Sequence, residues 1–145
     1  MKVRECMTGQ PITAQGDDAI QRVAKIMREC DVGAVPVLMN DNLVGILTDR
    51  DITVRAAGTG LDLEHHQAQE IMSSDLLTVS PDTELEEAAN IMADAKIRRL
   101  PIVLDNKLVG LISLGDMAVA TKGQEELCGT VLENLSEPIG TKCVM

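Results

Sequence analysis

The sequence contains no phenylalanine, tyrosine or tryptophan among its 145 residues. Its core must therefore be built from aliphatic residues and methionine, which provide most of an apolar fraction of 45%. A bound planar ring would have to pack on aliphatic side chains. Sites for single-stranded nucleic acid commonly stack bases on aromatic side chains, so this absence disfavours such a function.

Long apolar runs and paired cysteine motifs are also missing. No stretch approaches the about 20 apolar residues of a membrane helix, and the N-terminus lacks the apolar run of a secretory signal. The four cysteines, Cys6, Cys30, Cys128 and Cys143, form no Cys-x-x-Cys pair. We therefore predict a cytoplasmic chain without a membrane span, whose cysteines are ordinary thiols.

Positive charge is scarce in the second half of the chain. The net charge is −10, from 13 Lys and Arg against 23 Asp and Glu. Residues 1–60 carry 7 basic and 8 acidic side chains, whereas residues 61–145 carry 6 and 15. Such a surface repels phosphate backbones and anionic lipids, so we expect neither nucleic acid nor a membrane as partner. A small nucleotide in a local pocket remains compatible with it.

The chain repeats itself at a spacing of 65 residues. Residues 3–56 align on residues 68–121 without a gap, and 13 of the 54 aligned pairs are identical. Pro36 falls on Pro101, and a glycine and an aspartate are also kept in register. Chance similarity between two amphipathic segments would not preserve these residue types, so the alignment indicates a duplicated structural unit.

Each repeat is predicted to fold in the order strand, helix, strand, strand, helix. Apolar residues at positions i, i+3, i+4 and i+7 mark one buried face on the first helix of each repeat. Turns rich in Asn and Asp separate the two central strands. The predicted strands are Ile12–Ala14, Ala34–Met39, Leu43–Leu47, Leu77–Val79, Leu100–Leu104 and Leu108–Ile112.

The first helix of each repeat is preceded by a pattern that predicts a side-chain cap. Asp18 lies three residues before Gln21, and Thr83 lies three residues before Glu86. This is the spacing of a capping box, in which the two side chains satisfy backbone N–H groups at a helix start.

The repeats divide the chain into four predicted regions. We assign residues 1–60 to the first repeat, 61–67 to a polar connector, and 68–121 to the second repeat. Residues 122–145 form a C-terminal tail, in which apolar spacing predicts a short amphipathic helix. The apolar positions of that helix are Leu127, Val131, Leu132 and Leu135.

The segments DVGAVPVLMNDNLVGILTDRDI and KIRRLPIVLDNKLVGLISLGDM resemble the central part of CBS domains. The shared pattern is apolar-Pro-apolar, a turn, an apolar strand with Gly, and then Ser/Thr-x-x-Asp. The chain is similar to small stand-alone bacterial tandem CBS proteins of the hypoxic or general stress type. The resemblance implies an α/β (α+β) fold, with two β-α-β-β-α repeats paired through their sheets as a pseudo-two-fold Bateman module. It also implies an adenosine compound as ligand and a homodimer.

The resemblance implies that Thr48 with Asp51, and Ser113 with Asp116, are the main ligand-binding candidates. In the family, the carboxylate holds the ribose diol and the hydroxyl lies near ribose or phosphate. Two carboxylate oxygens suit the two donors of a cis-diol, and a hydroxyl at a helix start suits a phosphate. The same spacing can also form a capping box that serves only the backbone, so both hypotheses stay open.

The resemblance also places two strands and two threonines near an adenine. The strands are Val35-Pro36-Val37 and Leu100-Pro101-Ile102, for which a core strand with proline at its edge is the alternative. Thr13 and Thr78 match the family's first-strand position, although each is equally well explained as a β-forming residue.

The two repeats differ in charge near these motifs. Arg50, Arg98 and Arg99 are candidates for balancing a phosphate, with a solvated surface charge as the alternative. The first repeat has Gly33 and Ala34 in place of the last two arginines, which favours an anion in the second repeat. Between its Ser and Asp, however, the second motif has Leu-Gly, where the first motif has Asp-Arg. At the helix start, this difference favours an anion in the first repeat.

Together these patterns predict a regulatory module and no enzyme. It would bind AMP, ADP, ATP or S-adenosylmethionine between the repeats and signal through dimer shape to a separate, unidentified protein. No P-loop, Gly-x-Ser-x-Gly or dinucleotide motif is present, and no cofactor or metal site is predicted. One alternative is a ligand-free structural or interaction protein. Another is a metal- or redox-linked stress protein using His65, His66 and cysteines.

Overall fold

A computed structural model of the chain describes residues 1–121. It combines helices with two sheets of three strands each. The strands are β1 (Thr8–Gly9), β2 (Ala14–Gln15), β3 (Ala34–Met39), β4 (Asn42–Thr48), β5 (Arg99–Leu104) and β6 (Lys107–Ser113). The helices are α1 (Ile20–Cys30), α2 (Asp49–Asp51), α3 (Ala68–Ile71), α4 (Leu85–Ala95) and α5 (Leu114–Ala120). The predicted tail helix lies outside the described residues.

The hairpins β3–β4 and β5–β6 are confirmed and share one geometry. Both are antiparallel, with a register shift at the equivalent position. Asn40 and Asp41 have φ of 52° and 64°, and Asp105 and Asn106 repeat these two values. Positive φ at both central residues matches the turn to the right-handed twist of the strands, and Asn and Asp tolerate it.

The first predicted strand of each repeat is shorter than expected. In the first repeat it is the two-residue β2, parallel to β3. In the second repeat it is a single bridge between Val79 and Ile102. The Gly16 N–H donates to the Leu38 carbonyl at 3.0 Å, but its counterpart in the repeat is Pro81, which has no N–H to donate.

The predicted side-chain caps of α1 and α4 are wrong. The residues at the N-cap positions are Ala19 and Glu84, and neither makes a side-chain cap hydrogen bond. The Asp18 carboxylate instead accepts the Gln15 N–H at 2.8 Å, and the Thr83 hydroxyl accepts the N–H three residues earlier at 3.1 Å. Both side chains therefore close the turn before the helix, and the helix starts have other partners.

Segments exchanged between the repeats provide those partners. The first N–H of α1, from Ile20, donates to the His66 carbonyl at 2.9 Å. The first N–H of α4, from Leu85, donates to the Met1 carbonyl at 2.9 Å. The first N–H of each helix is thus satisfied by a backbone carbonyl that precedes the first helix of the other repeat. The two contacts are related by the internal repeat.

The exchange also completes both cores. Val3 is fully buried among second-repeat residues, and β1 pairs with β6. Ala68 and Ile71 of α3 are buried among first-repeat residues, and Ser73 exchanges two backbone hydrogen bonds with Ile46 of β4. Residues 1–9 therefore pack on the second repeat, and residues 66–73 pack on the first. These two stretches are the exchanged segments.

Two apolar cores, one in each repeat, confirm the predicted buried helix faces. The α1 face contributes Ile20, Val23 and Met27. The α4 face contributes Leu85, Ala88, Ala89 and Met92. Strands β4 and β6 lie against each other, so the repeats meet through their sheets. No helix within residues 1–121 is long and apolar enough to cross a membrane.

Candidate functional site

Each Ser/Thr-x-x-Asp motif stands where a strand passes into a helix and forms a complete capping box. The Thr48 hydroxyl accepts the Asp51 N–H at 3.1 Å, and Asp51 Oδ2 accepts the Thr48 N–H at 3.0 Å. Ser113 and Asp116 repeat the arrangement at 3.1 and 2.9 Å. The helix-cap interpretation is therefore realised in both repeats, and Oδ1 of each aspartate is not used by the cap.

The start of the preceding hairpin lies beside each motif. The N–H of Asp49 donates to the Gly33 carbonyl at 3.0 Å, and the N–H of Leu114 donates to the Arg98 carbonyl at 2.8 Å. We call the surroundings of Gly33, Thr48 and Asp51 the first site, and those of Arg98, Ser113 and Asp116 the second site. The fold thus brings together the predicted motif and the predicted strand in each repeat.

The side chains of the two predicted adenine strands are directed into the cores. Val35, Val37, Leu100 and Ile102 are each 0% exposed, and the two prolines are buried as well. Only backbone groups of these strands are left to meet a ligand. Strand β3 lies in the middle of its sheet, but β2 does not reach Pro36, so no neighbour needs the N–H that proline lacks.

The two threonines of the first-strand position differ in their surroundings. Thr13 is half-buried, whereas Thr78 is exposed and lines a cleft of about 460 Å³ between the ends of the two hairpins. Asn42, Ser74 and Asn106 contribute polar groups to that cleft. Its lining does not include either aspartate of the motifs, so the structure does not bring Thr78 together with them there.

The three predicted arginines do not form one cluster. Arg50 and Arg98 are exposed, whereas Arg99 is half-buried and reaches across to the first repeat. Its Nη2 lies 3.2 Å from where a Cβ on Gly33 would stand, and Asp49 Oδ2 lies 3.2 Å from the same point. Arg99 therefore occupies space at the first site, although it is a second-repeat residue.

Sequence reasoning missed Arg55, which holds Asp51. Arg55 Nε lies 3.7 Å from Asp51 Oδ1, and its Nη1 donates to the Ile71 carbonyl at 3.3 Å. Asp51 is only 8% exposed. The i,i+4 spacing of an acid and a base in one helical segment was the available signal. The residue that corresponds to Arg55 in the second repeat is Ala120.

Cys6 was also missed as a neighbour of the second site. Burial raises the pKa of the Cys6 thiol, and the negative charges of Asp116 and Glu5 raise this pKa further. Cys6 belongs to the exchanged N-terminal segment, and its counterpart beside the first site is Ile71. The N-terminal segment therefore brings a thiol, held in its protonated form, close to the Asp116 carboxylate.

Of the two histidines of the metal hypothesis, His65 lies on an exposed turn and His66, next to it, is half-buried. Within residues 1–121, one group of three potential metal-binding side chains has all its oxygen and nitrogen ligand atoms within 4.8 Å of one another. It consists of Asp62, Glu64 and His65 and contains no cysteine. A hydrogen bond from His65 lowers the pKa of Asp62 and raises that of His65. His66 instead contacts Glu70 at 3.0 Å. These contacts account for both histidines as surface hydrogen-bonding groups.

Comparison with known proteins agrees with this architecture. The CBS domain family matches residues 3–58 and again residues 68–123. The CBS domain-containing protein YhcV of Bacillus subtilis is 42% identical over 134 residues, which span 92% of this chain and 94% of that protein. The chain therefore belongs to the CBS domain family, as a tandem pair.

Solved CBS structures share the fold. The structure of Hypoxic Response Protein I with two coordinated zinc ions has a TM-score of 0.75 and 30% identity, covering 82% of this chain and 98% of that one. The CBS pair of MJ0100, in complex with 5-methylthioadenosine and S-adenosyl-L-methionine, has a TM-score of 0.76 and 26% identity, covering 86% and 98%. The predicted Bateman-type fold is confirmed, and such pairs are regulatory modules.

Proposed function

We propose that this chain senses an adenosine compound (AMP, ADP, ATP or S-adenosylmethionine) and passes the signal to a separate protein, without catalysis of its own. The observation that carries the proposal is the paired motif, in which each cap uses Oδ2 of an aspartate and leaves Oδ1 outside the cap. A carboxylate oxygen that the cap does not use suits a ribose hydroxyl. The adenosine ligands of the MJ0100 pair support this choice of ligand class.

A ligand-free interaction protein is the second candidate function. It is favoured by one specific observation, since both motifs already satisfy the backbone as complete capping boxes. In that case the two aspartates would have structural roles only, and their conservative replacement would affect stability but no ligand response.

Thermal denaturation of the full chain with AMP, ADP, ATP, S-adenosylmethionine or GTP tests the proposal. A ligand that binds only the folded state stabilises it by about 2.7 kcal/mol at a hundredfold excess over its dissociation constant. We expect a rise in melting temperature with at least one adenosine compound and none with GTP. No rise with any compound, on folded protein, would favour the interaction protein.

Signalling requires a shape that the ligand stabilises over another shape. We place this change in a homodimer, because equivalent apolar side chains stay exposed in both repeats. Val54, which follows α2, is 53% exposed, and its counterpart Val119 on α5 is 80% exposed. A second copy of the chain would cover both side chains. We expect the protein to act in the cytoplasm.

Charge on the outer helices favours a head-to-tail dimer, in which the first repeat of one copy faces the second repeat of the other. Helix α1 carries three exposed cations and one anion, Arg22, Lys25, Arg28 and Glu29. Helix α4, its counterpart, carries three exposed anions, Glu86, Glu87 and Asp94. Opposite net charge on these two equivalent helices attracts α1 of one copy to α4 of another and disfavours like helices. A groove of about 940 Å³ along α1 is lined by its three cations and also by Glu29 and Glu64.

A further inference from the structure

The two sites are related by the internal repeat, but they differ in how their aspartates are held. We infer that the chain binds one nucleotide, at the second site, and that Arg55 and Arg99 keep the first site closed. This inference rests on the proposed function, since it assumes that an adenosine compound is the ligand.

Arg55 is paired with the Asp51 carboxylate oxygen that a ribose hydroxyl would need. Asp51 Oδ2 is used by the Thr48 N–H, and Oδ1 faces the Arg55 guanidinium at 3.7 Å. Arg55 is itself anchored on the Ile71 carbonyl of the exchanged segment. A ribose diol would have to displace this ion pair and enter beside a carboxylate that is only 8% exposed.

Arg99 fills the space above the first site. Glycine at position 33 would leave room beside the backbone, but Arg99 Nη2 and Asp49 Oδ2 both lie 3.2 Å from its vacant Cβ position. The Asp49 carboxylate would also repel a phosphate at that helix start. The first site is therefore occupied by side chains of the protein, which a nucleotide would have to displace.

The second site lacks each of these obstacles. Ala120 stands where Arg55 would be, Ala34 where Arg99 would be, and Leu114 where Asp49 would be. Asp116 is half-buried, Ser113 uses one of its oxygens, and no ion pair joins it to another residue within 1–121. Its second oxygen is therefore available to a ribose hydroxyl.

Arg98 gives the second site its preference for a charged ligand. Its carbonyl accepts the first N–H of α5, so its backbone lies directly beside the helix start. Its side chain is exposed and has Gly33 as its counterpart in the first site. Arg98 therefore favours a phosphate-bearing nucleotide over the uncharged nucleoside.

Isothermal titration calorimetry of the full chain with AMP, ATP and adenosine tests this assignment. We expect one nucleotide per chain. Asp116→Asn should weaken binding at least about tenfold, because a hydrogen bond to a charged group is lost, whereas Asp51→Asn should change it less than about twofold. Asparagine keeps an oxygen for the Ser113 or Thr48 N–H, so both caps and the fold are preserved.

Two further variants test the closing and charge roles. The double variant Arg55→Ala/Arg99→Ala should raise the stoichiometry from one nucleotide per chain to two. Arg98→Gln should weaken AMP and ATP binding several-fold and leave adenosine nearly unchanged, with Lys107→Gln, at another exposed cation of the second repeat, as the control. Circular dichroism and melting temperature establish that each variant is folded.

The outcomes separate this inference from the proposed function. Two nucleotides bound to the unmodified chain, or binding lost through Asp51→Asn but kept by Asp116→Asn, would overturn the one-site assignment and leave the sensor function standing. An absence of binding heat with every compound would overturn both.

Discussion

At the scale of the residue, Ser113 and Thr48 act on the backbone. Each hydroxyl accepts the N–H of an aspartate three residues later at 3.1 Å. The carboxylate of that aspartate accepts the N–H of the serine or threonine. The local spacing of the motif predicted this pairing as one of two open interpretations, beside a role in ligand binding. It could not reveal Arg99, which reaches the first site from the other repeat, whereas the i,i+4 spacing to Asp51 was a local signal for Arg55.

Removal of one hydroxyl tests the cap separately from the ligand. We expect Ser113→Ala to lower the free energy of unfolding by about 1 kcal/mol, because the Asp116 N–H loses its acceptor. Urea denaturation measures the change. Ser74→Ala, at an exposed serine, is the control and should be nearly neutral. Equal stability of the two variants would show that the cap contributes nothing.

At the scale of the element, prediction succeeded for the hairpins and failed at the starts of α1 and α4. The Asn and Asp residues of the hairpin turns specify their own geometry, so the local pattern was enough. The helix starts were assigned to Asp18 and Thr83, but carbonyls of His66 and Met1 satisfy them. A sequence pattern has no access to a backbone partner supplied by another segment.

The exchanged segments pack tightly against two glycines. A Cβ on Gly110 would lie 2.7 Å from Met7 Sδ and 3.1 Å from the Thr8 carbonyl, and the equivalent Gly45 would meet Met72 Sδ and the Ser73 carbonyl. Strand β6 therefore needs glycine where the N-terminal segment crosses it, which explains why this residue is kept in both repeats.

Substitution of these glycines tests the exchange. We expect Gly110→Ala to destabilise the protein by about 1–3 kcal/mol, because the N-terminal segment must move away from β6. Hydrogen exchange should become faster in β1 and β6. Gly9→Ala is the matched control, since nothing lies within 4 Å of its added Cβ. A stable Gly110→Ala with unchanged exchange rates would contradict the observed packing.

At the scale of the whole molecule, the repeats have the same fold and different charge. The acidity of the second half lies partly on α4, and α1 remains basic. Because the helices are equivalent in position, this difference determines which repeats of two copies attract each other.

Charge reversal tests the head-to-tail dimer. We expect Arg22→Glu/Lys25→Glu/Arg28→Glu to weaken self-association about tenfold, since the reversed α1 would repel α4 of the other copy. Adding Glu86→Lys/Glu87→Lys/Asp94→Lys to the same chain should restore it. Sedimentation velocity measures both, and melting temperature controls for folding.

Mixing the unmodified chain with the sixfold variant distinguishes the orientations. A head-to-tail dimer predicts no mixed dimers, because facing helices would then carry the same charge, whereas a head-to-head dimer predicts that mixed dimers dominate. Native mass spectrometry resolves the two species. An unmodified chain that stays monomeric would contradict the dimer itself.

The sequence by itself determined the duplication, from its 65-residue repeat. It also determined the order of elements, both hairpins and the buried helix faces, because each depends on residues close along the chain, and it left the two Ser/Thr-x-x-Asp caps as one of two open interpretations. Only the tertiary structure decided that residues 1–9 complete the second repeat and that residues 66–73 complete the first. It also decided that Arg99 reaches the first site from the second repeat and that Arg55 donates to the Ile71 carbonyl. These contacts join distant segments, and no local pattern encodes which segments meet.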